Sequence, residues 1–196
     1  MKILKVGPQK IKIIIKKLVG ILKKGGVIVY PTDTVYGLLA DATKEKAIKK
    51  IFKIKKRSFK NPIPIFIRDI KMAKELAFIN RKQENFLKMV WPGRVTVVLK
   101  RKNVLPRIIF GGEKTIGLRI PDYKLVDLLL KEINHPLTGT SANISGKPAS
   151  TKIREVLKQF EKKEKPDFVL DAGNLKPSLP SVVIGLTGKK MKILRP

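Results

Sequence analysis

Residues Gly25–Leu38 read GGVIVYPTDTVYGL, and their order of glycine stop, apolar run and polar turn sets the fold class. Four β-branched or aromatic residues, Val27–Tyr30, predict a buried strand that ends at Pro31 and opens into the turn Thr32-Asp33-Thr34. Upstream, Ile11, Ile14, Ile15, Leu18, Ile21 and Leu22 recur at helical spacing between lysines, which predicts a helix over residues 9–24 with Gly25-Gly26 as its stop. Downstream, a second helix is predicted over Lys44–Lys55, with Thr43 as N-cap and Ala47, Ile48, Ile51, Phe52 and Ile54 turned to the core.

The same mixture continues along the chain. Strands are predicted at Ile63–Ile67, Val95–Leu99, Ile116–Ile120, Phe168–Leu170, Val182–Ile184 and Lys190–Leu194, the last two joined by a turn at Thr187-Gly188. Helices are predicted at Asp69–Ala77, Gln83–Met89, Tyr123–Ile133 and Ile153–Lys163. With no repeat and no linker in view, the expectation is one domain over residues 1–196: an α/β (α+β) fold on a twisted, mixed sheet flanked by helices.

Composition narrows the chemistry. The 196 residues hold no cysteine, which excludes disulfides, thiol nucleophiles and thiolate metal sites. The longest apolar stretch, Ile11–Leu22, is broken by Lys12, Lys16, Lys17 and Gly20, so no membrane span is expected. The N-terminal MKILKVGPQK lacks the features of a secretory signal, and a cytoplasmic location is the expectation. With 44 Lys and Arg against 15 Asp and Glu, the net charge is +29. Contact with a polyanion, most simply RNA, is one reading of that excess, and a solvated basic surface is the other.

Five stretches can carry chemistry. In Tyr30–Leu38, hydroxyls and one carboxylate enter a turn closed by Gly37, which is either a ligand grip or a polar turn. Lys55-Lys56-Arg57 before Asn61-Pro62 offers a phosphate clamp, or the basic end of a helix. Trp91-Pro92-Gly93 carries the only tryptophan, read as a core anchor. In TIGLRIPD, Thr115–Asp122, Arg119 interrupts an apolar strand; it either meets a carboxylate in a cleft or faces solvent. The fifth, Pro136–Gly146, PLTGTSANISG, gathers small and hydroxylated residues between glycines, a composition suited to phosphate and to metal-bound water. His135 has no partner at metal-ligand spacing and is read as structural. Neither GxxxxGK[ST] nor a GxGxxG after a strand is present, so a nucleotide needs another scaffold.

In order and spacing, YPTDTVYGL, KKRS with Asn61-Pro62, WPGRVT, IGLRIPD, TSANISG, Pro180-Ser181 and Leu194-Arg195-Pro196 closely resemble the YrdC-like family, the threonylcarbamoyl-AMP synthases. The resemblance implies condensation of L-threonine, bicarbonate and ATP, with Mg²⁺, into threonylcarbamoyl-adenylate and pyrophosphate. It further implies that a partner tRNA threonylcarbamoyl transferase complex uses the product beside the anticodon. By motif, Lys55, Arg57, Ser141 and Asn143 match the family's KxR and SxN signature at the ATP phosphates and Mg²⁺. Thr34, Arg119 and Ser181 match positions holding threonine or its carbamate, with Arg119 on the carboxylate, and Asn61, Thr115, Thr151 and Arg195 match nucleotide-side positions. No protein residue is implied as a dedicated metal ligand, because Mg²⁺ held mainly by phosphates needs no carboxylate cage.

The match has departures. The family's Ser-Thr-Val-Val-Asp reads Ser181-Val182-Val183-Ile184-Gly185 here, Arg94 stands where proline is frequent, and Phe66 stands where some members have histidine. The chain stops at Pro196 and so resembles the short, single-domain form. Two other functions stay open: a noncatalytic RNA-binding protein, with direct tRNA or double-stranded RNA contact, and an enzyme handling carbamoyl-adenylate on the same fold.

Overall fold

A computed structural model describes residues 1–7, 11–160, 164–188 and 190–196. Along the chain run β1 (Lys2–Lys5), α1 (Ile11–Lys23), β2 (Ile28–Tyr30), β3 (Gly37–Leu39), α2 (Glu45–Lys55), β4 (Ile65–Phe66), α3 (Ile70–Leu76) and α4 (Arg81–Val90). There follow β5 (Val95–Lys100), β6 (Thr115–Arg119), α5 (Lys124–Ile133), β7 (Leu137–Thr138), β8 (Thr140–Ser141), α6 (Ile153–Gln159), β9 (Phe168–Asp171), β10 (Val182–Gly185) and β11 (Lys192–Arg195). The first two residues of the predicted helix 9–24, and residues 161–163 of the predicted helix to Lys163, lie outside the described residues.

The single expected sheet is two mixed sheets. One has the order β1-β9-β2-β3-β8 and the other β11-β10-β5-β6-β4-β7. Side-chain alternation explains the layering. Along Val27–Tyr30, Ile28 and Tyr30 pack with α1 and α5, whereas Val27 and Val29 turn to the main core beside Leu38 and Val169. The second sheet gives Ile65, Val97, Leu99, Ile116 and Leu118 to that main core. Its opposite face carries Phe66, Thr96, Thr115, Gly117 and Arg119, and this is the face on which the cleft is built.

One short segment joins the two sheets. β7 pairs with β4 in the second sheet, β8 pairs with β3 in the first, and Gly139 alone separates them. Thr138 secures the crossing: its amide donates to Ala40 O, and its hydroxyl accepts from Ala40 N and donates to Leu38 O. A Cβ at Gly139 would lie 2.4 Å from a Phe66 ring carbon. Gly139→Ala is therefore expected to destabilise the fold by about 1–3 kcal/mol through overpacking, read by denaturant unfolding. An unchanged midpoint would mean that Phe66 swings aside freely.

Two caps differ from the sequence reading. Thr43 does not cap α2; its hydroxyl and amide both bond Asp41 Oδ1, and Lys44 occupies the N-cap position without a side-chain bond. Asn80 starts α4 two residues earlier than predicted, in a reciprocal capping box with Gln83. The isolated His135 has Asp41 as its partner, at 2.9 Å from Nδ1. No helix among the described residues is long and apolar enough to cross a membrane.

Candidate active site

The cleft lies where the sheets meet, a space of about 150 Å³ whose walls are mostly polar. From the predicted set it brings together Thr34, Arg57, Arg119, Ser141, Ser181 and Arg195. Lys55 and Asn143 sit behind that wall, and Asn61, Thr115 and Thr151 do not line this space.

Arg119 is the most buried cation on the cleft wall, 2% exposed at the end of β6. Its Nε donates to Gly93 O at 2.8 Å and its Nη2 to Asp33 Oδ2 at 2.7 Å, while Nη1 lies 3.5 Å from Thr34 Oγ1. Burial, with nearby Arg94 and Arg195, pulls its pKa down from the usual guanidinium value, and Asp33 opposes that pull. The choice between a solvent-facing and a cleft-facing Arg119 is thus decided for the cleft. Position 93 takes glycine because a Cβ there would meet Val90 O at 2.5 Å. Trp91 takes the anchoring role expected of it, 6% exposed with Nε1 on Val95 O.

Thr34 is held by its own turn: Thr32 Oγ1 accepts from Thr34 N, lies 3.1 Å from Thr34 Oγ1 and donates to Val35 O. Gly37, expected to close the turn, is instead the first residue of strand β3, and a Cβ there would meet nothing closer than 3.4 Å. Ser181 shares a hydroxyl contact of 2.9 Å with Thr96 and accepts from Arg195 Nη2 at its carbonyl and, at 3.3 Å, its hydroxyl. Thr96 was not singled out in the sequence; the two-residue alternation of β5, with Val97 and Leu99 in the core, is the signal that assigns it to the cleft face.

Lys55 and the first half of the TSANISG segment form one hydrogen-bonded unit, while Ser145 and Gly146 are exposed. The ammonium, on a residue 1% exposed, donates to Ser141 O at 2.6 Å, to Asn143 O at 2.9 Å and to Asn143 Oδ1 at 2.9 Å. All three of its hydrogens are committed to that loop. Burial, then the adjacent Arg57 charge, lowers its pKa to about 7. Ser141 Oγ donates to Asn143 Oδ1, and Asn143 Nδ2 ties back to Ile144 O and Lys147 O. Gly146, at φ +83, turns the chain after it. Arg57, whose pKa burial lowers, reaches the cleft with Nε and Nη2 on the carbonyls of Asn61 and Pro62, which leaves Nη1 for a ligand.

Thr115 and Arg119 share a face of β6, four positions apart, roughly 13 Å of strand. Between them a Cβ at Gly117 would meet Thr96 Cγ2 at 3.3 Å, so Thr96 and Pro64 close over the strand there. Thr151 contributes a backbone contact, its carbonyl accepting from Leu175 N.

Among the described residues no three His, Asp or Glu gather as metal ligands. The oxygens of Ser141 and Asn143 are neutral, and Lys55 Nζ is already on one of them. Asn143 Oδ1 already accepts from both Lys55 Nζ and Ser141 Oγ, so the Ser141 hydroxyl oxygen on the cleft wall is the neutral group that fits a Mg²⁺ held mainly by other oxygens.

The sequence matches the model of the Sua5/YciO/YrdC family, described as telomere recombination, over residues 20–196. It is 37% identical to the threonylcarbamoyl-AMP synthase of Pyrococcus abyssi over 178 residues, 90% of this chain and 52% of that protein. It is 30% identical to that of Psychromonas ingrahamii over 176 residues, 88% of this chain and 92% of that protein. The chain thus spans about half the length of the first relative and nearly all of the second. The structure of P. abyssi Sua5 complexed with L-threonine superposes with a TM-score of 0.91 at 35% identity, covering 100% of this chain and 57% of the other.

Proposed function

The chain belongs to the Sua5/YciO/YrdC family, and from that premise we propose that it is a nucleotidyltransferase, making threonylcarbamoyl-AMP and pyrophosphate from L-threonine, bicarbonate and ATP. The observation that carries this reading is the buried Arg119, held from two sides so that Nη1 faces Thr34 in a polar cleft. A site of that design suits the carboxylate of an amino acid.

Chemically, the threonine amine and bicarbonate give a carbamate and water. A carbamate oxygen then displaces pyrophosphate from the α-phosphorus of ATP, forming one P–O bond and breaking another. No protein nucleophile is needed, in keeping with a chain that has no cysteine and one histidine. The protein's task is alignment and charge neutralisation. Arg119 and Thr34 would fix the threonine end, with the Ser181 hydroxyl beside it. Arg57 Nη1 would meet the phosphates, while Lys55 would shape the loop that presents Ser141 and Asn143. Asn61, Thr115, Thr151 and Arg195 would lie along the nucleotide. A Mg²⁺ arriving with the phosphates would add positive charge there, held mainly by the phosphates with the Ser141–Asn143 loop beside it.

The product would pass in the cytoplasm to a separate transferase that modifies tRNA, and the net charge of +29 suits contact with that RNA. The decisive experiment is pyrophosphate release from ATP, Mg²⁺ and bicarbonate, with and without threonine. Threonine-dependent release is expected. Equal release in both arms sinks the activity, and release driven by carbamoyl phosphate in place of threonine reassigns it to carbamoyl-adenylate chemistry.

A further inference from the structure

The buried carboxylate at the back of the cleft has no part in the chemistry above. Asp33 Oδ2 accepts from Arg119 Nη2 at 2.7 Å and from Asp122 N at 3.1 Å, with both side chains of the ion pair nearly inaccessible. Asp33 Oδ1 is buried without a hydrogen-bond partner among the described residues. Asp33 lies off the cleft wall, behind Thr34, so it does not reach a ligand directly.

We infer that Asp33 is the positioning residue of the amino-acid subsite: it sets the plane of the Arg119 guanidinium and balances its charge, so that Nη1 is aimed at the ligand carboxylate. This rests on the reading of the cleft as a threonine site. A guanidinium has donors on three sides in a rigid plane. Gly93 O holds the Nε side and Asp33 the Nη2 side, so two fixed acceptors define the plane and leave one edge, Nη1, toward Thr34. Of those contacts only Asp33 is anionic. Without it, Arg119 would face Arg94 and Arg195 with no compensating charge and one hydrogen bond fewer.

The charge and the acceptor of this carboxylate can be removed separately. An Asn in that place keeps an acceptor for Nη2 but loses the charge, and its amide adds donors beside a cation. An Ala removes both. The graded pair separates orientation from mere filling of space.

The test measures L-threonine binding by calorimetry, and KM for threonine and for ATP in pyrophosphate release, for the wild type, Asp33→Asn and Asp33→Ala. Asp33→Asn is expected to weaken threonine binding and raise its KM about tenfold, and Asp33→Ala more, as for a lost charge-assisted hydrogen bond. KM for ATP should stay within about twofold of wild type, because the site for phosphates is a separate set of groups. Threonine affinity unchanged in both variants overturns the positioning role, as does an equal rise of both KM values that tracks a loss of folding stability. A wild type that binds threonine but releases no pyrophosphate sinks the activity and leaves the positioning role standing on the calorimetry. A wild type that binds no threonine sinks both.

Discussion

Arg119→Ala is expected to cut threonine-dependent pyrophosphate release severely and to destabilise the protein in the same step. The two losses have separate causes. The first follows from removing the donor edge at Thr34, and truncating one partner of a buried, hydrogen-bonded charge pair costs about 2–5 kcal/mol in binding, or 30-fold to several thousand-fold in kcat/KM. The second follows from Asp33, whose carboxylate would remain buried with its remaining contact at Asp122 N. Breaking such a pair costs about 3–5 kcal/mol of folding stability. Arg119→Lys separates the two, since it keeps a charge near Asp33 but cannot span Gly93 O, Asp33 and the ligand at once. It should recover much of the stability and little of the activity. Denaturant unfolding and the pyrophosphate assay read the two effects, and a lysine variant with near wild-type kcat/KM would show that the fork geometry is unimportant.

Lys55→Met carries the second large effect, and it acts through the loop. The substitution keeps an unbranched chain of similar reach but leaves Ser141 O, Asn143 O and Asn143 Oδ1 without their shared donor. Ser141 and Asn143 would then shift, and misplacement of about 1 Å at a reacting centre can lower kcat/KM for ATP on the order of a hundredfold. A variant with unaltered ATP kinetics would refute that linkage.

The same lysine predicts a pH dependence with a definite sign. In the unfolded chain it keeps its proton to about 10.5, whereas in the folded protein burial and Arg57 bring the pKa to about 7. Below pH 7 it is charged in both states, and the cost of burying that charge is fully present. Between pH 7 and 10.5 the unfolded state holds more protons, so this group's contribution to stability rises with pH. The stability of the wild type relative to Lys55→Met should therefore be greater at pH 9 than at pH 6 by chemical denaturation. A pH-independent difference would mean that the three acceptors keep the proton on Lys55 throughout.

Much of the secondary structure was legible because it rests on local periodicity. The apolar spacing in α1, α2 and α5 and the β-branched runs of β2, β5 and β6 announce themselves within one element. Strands β7 and β8 were not legible as such, because each has two residues and exists only through its partner in another sheet. β3 was hidden likewise inside what reads as a turn-closing stretch, and β1 in a short N-terminal segment that pairs with β9, more than 160 residues away. Among the site residues, Arg119 stood out because a guanidinium in an apolar strand demands an explanation. Thr96 did not stand out, since a threonine in a strand is ordinary.

The sequence by itself determined the chemistry on offer: an α/β chain without thiols, strongly basic, with hydroxyl-rich loops and an arginine set in a strand. Those are properties of residue type and short spacing, and they survive without coordinates. Only the tertiary structure decided which face of β6 meets the cleft, that Asp33 and not solvent receives Arg119, and that Lys55 spends all three hydrogens on the TSANISG loop. The physical reason is common to all three. Each contact joins residues some 86 to 88 positions apart, and its strength comes from burial, which neither periodicity nor composition records until the two sheets meet at Gly139.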